Sequence, residues 1–382
     1  MWIFEGGLFF LLVLICIPMH GITSNTPAES TVLSFYQEQD PILPSKTSKD
    51  PFINRLNSKT SRHNQYNPIE KVFLHTDKNM FASGETVWYS AYVVTGPLHR
   101  YTYSSKVVHV DLIGPDGEIA VSQTHQLVNG KSSGALKIPK YLSEGDCQLR
   151  SYTQWMRNYD ADFFFTKELS IVNTQNNQDV TLVMEDRIDL QFFPEGGHMV
   201  ADLPSKVSFK AIGSDGLPRK VSGKILNSAG VTVATLGTFD RGSGFFQLTP
   251  KKDERYLAEL DDGTQYSLPE ILDMGYTISV NNLNEKAIRV FVQASEQLRN
   301  KPFYIVGYLR QRNYFTSKFE FDRDQTLKLE VPKADMPAGV LTLTLFDLYN
   351  KPWCERPIFI NHQEELVIST KINTNKFVKG GR

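Results

Sequence analysis

The chain has 382 residues, enough for two to four domains of ordinary size. Its 41 basic and 42 acidic residues nearly cancel, and no polybasic run stands out, so nothing invites a phosphate backbone or an anionic membrane surface, and nucleic-acid binding is set aside. Aromatic residues make up 12%, with Val and Thr also frequent; these side chains suit half-buried pleated surfaces and lean the chain towards sheet.

Leu8 to Ile17 reads LFFLLVLICI, the length of a signal-peptide core, and Pro18, His20 and the polar Thr23–Asn25 end it before the roughly 20 apolar residues of a spanning helix are reached. Residues 1–24 are therefore predicted as a signal peptide, cleaved near the small residues at Gly21–Ser24. Two features depart from the pattern: Glu5 precedes the run with no Lys or Arg, and Ile15 stands where lipidation of Cys16 would want a small residue. A start-anchored helix is the alternative. Membrane contact is expected only through this segment, and the chain is expected to be exported to the periplasm, outer membrane or cell surface.

Residues 25–67 are polar and predict an exposed linker, in which Phe52, Ile53 and Leu56 mark at most one helical turn. From Ile69 the pattern changes to strands. VFLHTD, TVWYSAYVV, KVVHVDLI, EIAVSQTHQL, ALKIP, CQLRSYTQW and Phe163–Val172 are separated by turn signals such as Gly84 and Pro115-Asp116-Gly117. About seven strands over some hundred residues predict a β-sandwich at 68–174. A second, at 185–265, is marked by DLQFFP, SKVSFKAIG, KVSGKILN, VTVATLGTF, GFFQLTP and RYLAEL. A third, at 275–362, runs from YTISVN to RPIFIN. Amphipathic helical periodicity is absent from all three units, with Leu268–Met274 the best helical fragment. In the tail, 363–382, Phe377-Val378-Lys379-Gly380 repeats Phe81-Ala82-Ser83-Gly84 after an apolar stretch, and reads as the truncated start of a fourth sandwich.

The segment EKVFLHTDKNMFASGETVWYSAYVV resembles the opening strand–turn–strand of a macroglobulin-type domain, the repeated sandwich of alpha-macroglobulins. Lys71, Thr76, Asp77, Lys78, Phe81, Gly84, Glu85, Val87 and Trp88 hold the places of that pattern. CQLRSYTQWMRN, DLQFFPEGGHMVADLPSKVSFKA and ADMPAGVLTLTLFDLYNKPWCERPIFI are similar, in order, to later segments of large envelope proteins of Gram-negative bacteria. The resemblance covers roughly 67–382 and implies tandem antiparallel macroglobulin-like or immunoglobulin-like sandwiches in an all-β chain. Some larger relatives carry a plug domain like that of TonB-dependent receptors; no such segment is present here. The thioester motif of protease-trapping members, Cys-Gly-x-Gln, is also missing, since Gln148-Leu149-Arg150 follows Cys147 and Glu355-Arg356-Pro357 follows Cys354.

No catalytic, cofactor or metal residue is assigned, and no cofactor is expected: HExxH, GxSxG, P-loop and EF-hand patterns are all lacking. His75, His109 and His125 are read as hydrogen-bonded structural histidines over metal ligands. In Glu195-Gly196-Gly197-His198, Glu195 is read as a solvated turn residue and the glycines as positions needing positive φ. Asp111, Asp116 and Glu118 are read as surface carboxylates over a calcium site, and Trp88, Trp155 and Trp353 as core residues over ligand-stacking platforms. Cys147 and Cys354 are read as two buried thiols, with an interdomain disulfide as the alternative. The functional expectation is a non-enzymatic exported binding or scaffold module, part of a larger macroglobulin-like protein. Its unknown partner is a protein or a glycan, with outer-membrane receptor components as candidates. An inhibitor-like role without the thioester, or accessory domains of a receptor or glycan-active system, are the alternatives.

Overall fold

The computed structural model describes residues 50–96, 99–173, 187–321, 326–364, 366–369 and 371. The predicted signal peptide at 1–24 and the repeat at Phe377–Gly380 lie outside them. All described helices and strands fall within one compact unit, Ser48–Ile360. Residues 366–369, expected to open a further sandwich, carry no strand, and Leu366, Val367 and Ile368 are exposed.

The polar stretch before Ile69 departs from expectation: it holds a 16-residue helix, α1 (Pro51–Tyr66). Asp50 caps it, its Oδ1 accepting the Phe52 N–H at 2.8 Å, and Pro51 begins the helix where its missing N–H costs nothing. The helix has no apolar stripe. Its buried residue is Phe52, stacked on Tyr304 with ring centroids 3.8 Å apart and tilted against Phe346. Tyr304 Oη donates to Asp50 Oδ2 at 2.8 Å, and Asn313 Nδ2 donates to Asn57 Oδ1 at 2.9 Å. A polar helix of this length is marginal alone; here one aromatic and one cap dock it on the third sandwich.

The first sandwich contains β1 (Glu70–Thr76), β2 (Met80–Ala82), β3 (Thr86–Thr95), β4 (Arg100–Tyr101), β5 (Val107–Ile113), β6 (Ile119–Gln126), β7 (Lys131–Lys137), β8 (Gly145–Tyr152) and β9 (Phe165–Val172). In one sheet the long β3 has β1 on one side and β7 and β4 on the other; the second sheet runs β2-β9-β8-β5-β6. Alternation along the strands aims Leu74, Val87, Tyr89 and Leu136 at Val110, Leu112, Leu149 and Leu169, which form one core. The resemblance motif has a physical basis in the β1–β3 turn. Gly84 sits at φ +88°, Lys78 Nζ meets Glu85 Oε2 at 2.7 Å, the same oxygen accepts the Ala82 N–H at 2.7 Å, and Phe81 is buried.

The second sandwich comprises β10 (Ile188–Pro194), β11 (Met199–Val200), β12 (Ser205–Gly213), β13 (Ser222–Leu226), β14 (Thr232–Gly237), β15 (Ser243–Leu248), β16 (Leu257–Leu260), β17 (Gln265–Ser267) and β18 (Ile271–Leu272). Sheets β10-β12-β15 and β14-β13-β16-β17 enclose Val207, Phe209, Ile225, Phe246 and Ala258. The fragment Leu268–Met274, expected to be the best helical piece, is not helical: Ile271 and Leu272 pair in parallel with Met199 and Val200. Its β-branched Ile271 and its buried neighbour Met199 favour the extended form once tertiary contacts are available.

The third sandwich is formed by β19 (Tyr276–Asn281), β20 (Ala287–Ala294), β21 (Phe303–Leu309), β22 (Arg312–Phe319), β23 (Thr326–Pro332), β24 (Gly339–Asp347) and β25 (Pro352–Ile360). Sheets β19-β20-β23 and β22-β21-β24-β25 pack Ile278, Val290 and Val292 against Phe303, Ile305, Leu343 and Leu345. The chain is all-β, built as tandem antiparallel sandwiches. Among the described residues no helix is long and apolar enough to cross a membrane.

Phe52→Ala is expected to undock α1 while leaving the three cores intact. Hydrogen exchange should then show amides 51–66 losing protection while strand amides keep theirs. Burial is the largest single influence on Asp50 and raises its pKa, but donation from Tyr304 and from the backbone, with the Lys318 charge, together outweigh it and hold the carboxyl below its usual range. Because the folded value is the lower one, this stabilisation is full above the unfolded value of about 3.9 and fades as pH falls through the folded value. Protection of 51–66, corrected for intrinsic exchange, should fall first in that acid range.

Candidate binding cleft between the second and third sandwiches

β10 ends at Pro194, and the chain turns sharply through Glu195-Gly196-Gly197. Both glycines adopt the expected positive φ, +92° and +98°. A side chain at Gly196 would also meet Ile278 Cγ2 at 3.0 Å, so the turn is pressed against β19. Glu195 is not the solvated residue expected from its loop position. Its side chain is 8% exposed, and its Oε1 accepts Arg356 Nε at 3.0 Å and the Val280 N–H at 3.2 Å. Gly196 O accepts the Glu355 N–H at 3.1 Å. A sequence rule that places turn carboxylates in water fails here because the turn is covered by the next sandwich.

Beside this clasp lies a cleft of about 750 Å³. Its floor is the outer face of the β19-β20-β23 sheet, where cross-strand neighbours Thr277, Gln293 and Thr326 form one row and Ser279 and Phe291 belong to the next. Ser205, Lys206, Gln247 and Thr249, from β12 and the end of β15, form the opposite wall; Asn281, Asn282 and Leu283 form the rim. Two buried atoms in this lining, Ser205 Oγ and Asn282 Oδ1, have no hydrogen-bond partner among the described residues. No residue of the cleft was singled out from the sequence as a ligand-binding residue. Glu195 alone among them drew attention, for its glycines.

The other residues singled out from the sequence are dispersed. His125 Nε2 is 2.6 Å from Tyr89 Oη, and His109 Nδ1 is 3.1 Å from Thr124 Oγ1 with its ring stacked on Tyr152. His75 is exposed on the opposite sheet, and His198 is exposed. Asp111 corrects the expectation of a surface carboxylate: it is 1% exposed and held by Arg150 Nη2 at 2.9 Å and Ser122 Oγ at 2.7 Å. Asp116 serves the turn it was read into, accepting the Glu118 N–H at 3.1 Å. Of the tryptophans expected in cores, Trp88 is 61% exposed, because the alternation of β3 turns Val87 and Tyr89 inward and Trp88 out. Trp155 is partly buried in a short 3₁₀ turn and donates to Pro68 O at 2.7 Å; Trp353 packs partly buried against the third core. Glu70, passed over in the sequence, is 1% exposed and accepts hydroxyl donors from Thr102, Ser105 and Thr153 at 2.5–2.6 Å.

Cys147 and Cys354 are free, buried thiols. Burial pushes the Cys147 thiol up to about 11, with Asp146 and Asp116 adding to the shift, and raises Cys354 further.

No family model matches the chain, and no curated protein matches it. Among solved structures it is similar to Escherichia coli alpha-2-macroglobulin in its native conformation, at 11% identity over 76% of this chain and 22% of that one, with a TM-score of 0.24. It is also similar to the Escherichia coli adhesin FdeC, at 12% identity over 76% of this chain and 96% of that one, with a TM-score of 0.20. A tetra-tandem repeat from the extending region of a large adhesion protein matches at 13% identity over 77% and 75% of the two chains, with a TM-score of 0.20. The chain thus spans under a quarter of the macroglobulin's length. Scores this low carry no argument; the architecture rests on the strands and cores described above.

Arg356→Ala is expected to leave Glu195 buried with one donor fewer, at a cost of roughly 1–3 kcal/mol, below the fully buried range because Arg356 is about one-third exposed. Glu195→Gln combined with Arg356→Ala should recover part of that loss, as read by denaturant unfolding. In the folded protein both thiols should resist a thiol-reactive chromogenic disulfide, reacting only after denaturant is added.

Proposed function

We propose that this chain is a non-enzymatic, exported binding or scaffold module of a bacterial cell envelope, acting as part of a larger macroglobulin-like protein. The observation that carries the reading is the make-up of the cleft. Its lining is amides, hydroxyls and apolar groups with two charged residues: Lys206, whose ammonium lies over the Phe245 ring, and Glu195, the carboxylate among its described lining residues, which is committed to Arg356 and the Val280 N–H. General acid–base chemistry needs a titratable group free to exchange a proton with a ligand. A carboxylate held as a structural clasp serves a fixed binding surface instead. The export half of the proposal is supported by the apolar run at Leu8–Ile17, and the macroglobulin half by the turn motif from Thr76 to Glu85.

The test is expression of the full chain, with its own N-terminus and a C-terminal tag, in a Gram-negative host. Cell fractionation and intact-mass measurement should find it in the envelope, with its N-terminus trimmed near Gly21–Ser24. A product retained in the cytoplasm with residues 1–24 intact overturns the exported reading.

A further inference from the structure

We propose that the cleft between the second and third sandwiches binds a neutral oligosaccharide. This deepens the reading of the chain as a binding module and rests on it.

The first argument is the pair of orphaned atoms. Ser205 is 4% exposed, and its hydroxyl, without a partner among the described residues, is destabilising where it stands. Asn282, at the rim, donates its amide to Phe359 O at 2.7 Å, and its Oδ1 has no partner among the described residues. A ligand that both donates and accepts suits either atom, and sugar hydroxyls do both. Gln247 and Asn281, exposed at the cleft, add amides suited to bidentate contact with neighbouring hydroxyls.

The second argument is the floor. Phe291 lies half-buried on the outer sheet face, between Ser279 of β19 and Lys328 of β23 and two positions from Gln293, where an aromatic adds nothing to the third core. An aromatic face bordered by a hydroxyl and an amide suits the C–H face of a pyranose, apolar in its middle and polar at its edge. The volume, about 750 Å³, lies within the usual span of small-ligand sites, roughly 300–1,000 Å³.

The third argument is charge. Glu195 is paired with Arg356, and the Lys206 ammonium sits 4.3 Å from the centre of the Phe245 ring. Lys206 is the one cation among the described lining residues, and Lys328, opposite Phe291, lies outside that lining, so no cluster of cations for a phosphate or carboxylate is formed there. An extended peptide is disfavoured as well: strand addition needs free backbone on β19, and Glu195 already occupies the Val280 N–H while Gly196 packs on Ile278.

The experiment titrates the full chain by calorimetry with maltotriose, cellotriose and triacetylchitotriose. Trigalacturonate and an uncharged, acetylated hexapeptide of alternating Thr and Val serve as the acidic and peptide probes. At least one neutral trisaccharide should bind saturably, and Phe291→Ala and Gln247→Ala should each weaken that binding about tenfold or more. Both residues lie outside the hydrophobic cores, so thermal midpoints should hold; should Phe291→Ala fail to fold, Gln247→Ala decides. Saturable binding by none of the three sugars overturns the proposal. So does sugar binding that survives both substitutions, or binding in the cleft by trigalacturonate or the hexapeptide in place of the sugars. None of these results bears on the envelope reading, which the fractionation experiment decides separately.

Discussion

A carboxylate removed from water has to be given back its hydrogen bonds, and at Glu195 they come from a different sandwich. Arg356 lies on β25 between Cys354 and Ile358, on the inward side of a strand at a sheet edge, and from there it reaches the turn after β10. The turn can come close enough only because Gly196 has no Cβ to strike Ile278. Glycine, carboxylate and guanidinium therefore work as one device: the glycine permits the approach, and the charges fix its geometry. The cleft beside them inherits its shape from that fixed approach. The edges of β19 and β25 are also occupied by it, through Val280 N–H and Glu355 N–H, which removes two stretches of backbone from the reach of other chains.

The same logic recurs inside the first sandwich in two chemical versions. Asp111 is compensated by a cation, Arg150, with Ser122 taking its second oxygen. Glu70 is compensated by hydroxyls drawn from residues 32, 35 and 83 positions away. Hydroxyl donors do not cancel the charge, but their directionality demands that two distant segments, the loop at 102–105 and Thr153, arrive at β1 in one arrangement. Apolar side chains in the same place would tolerate several. The buried acids thus select a particular packing among those the alternating pattern allows.

What the sequence disclosed and what it hid divide along a physical line. Strand existence was legible because period-two alternation is local: YTISVN, GVLTLTLFD and VFLHTD became β19, β24 and β1 nearly residue for residue. The facing of a side chain within an apolar run was harder. In TVWYSAYVV the parity of Trp88 holds polar Thr86 and Ser90 but also Tyr92 and Val94, so the local signal that Trp88 points out and Tyr89 in is weak. Helix α1 carried a readable cap and N1 proline, Asp50-Pro51, yet its docking depends on Phe52 meeting Tyr304, a partner invisible to any window on the helix itself. Glu195 and the cleft were hidden for the same reason. Their environment is made by residues more than eighty positions downstream, so an acidic residue before two glycines looked like any exposed turn.

The docking of α1 carries a temporal consequence. Asp50 and Tyr304 are 254 residues apart, and they meet on the third sandwich, whose strands are the last of the unit to be synthesised. At ribosomal speeds of about 5–20 residues per second, a polar helix at the front of the chain waits more than ten seconds for its partner to emerge. A polar helix of this length is marginal until that docking surface exists. The N-terminal segment therefore works as a completion latch: its ordering reports that the sandwich more than two hundred residues behind it has folded.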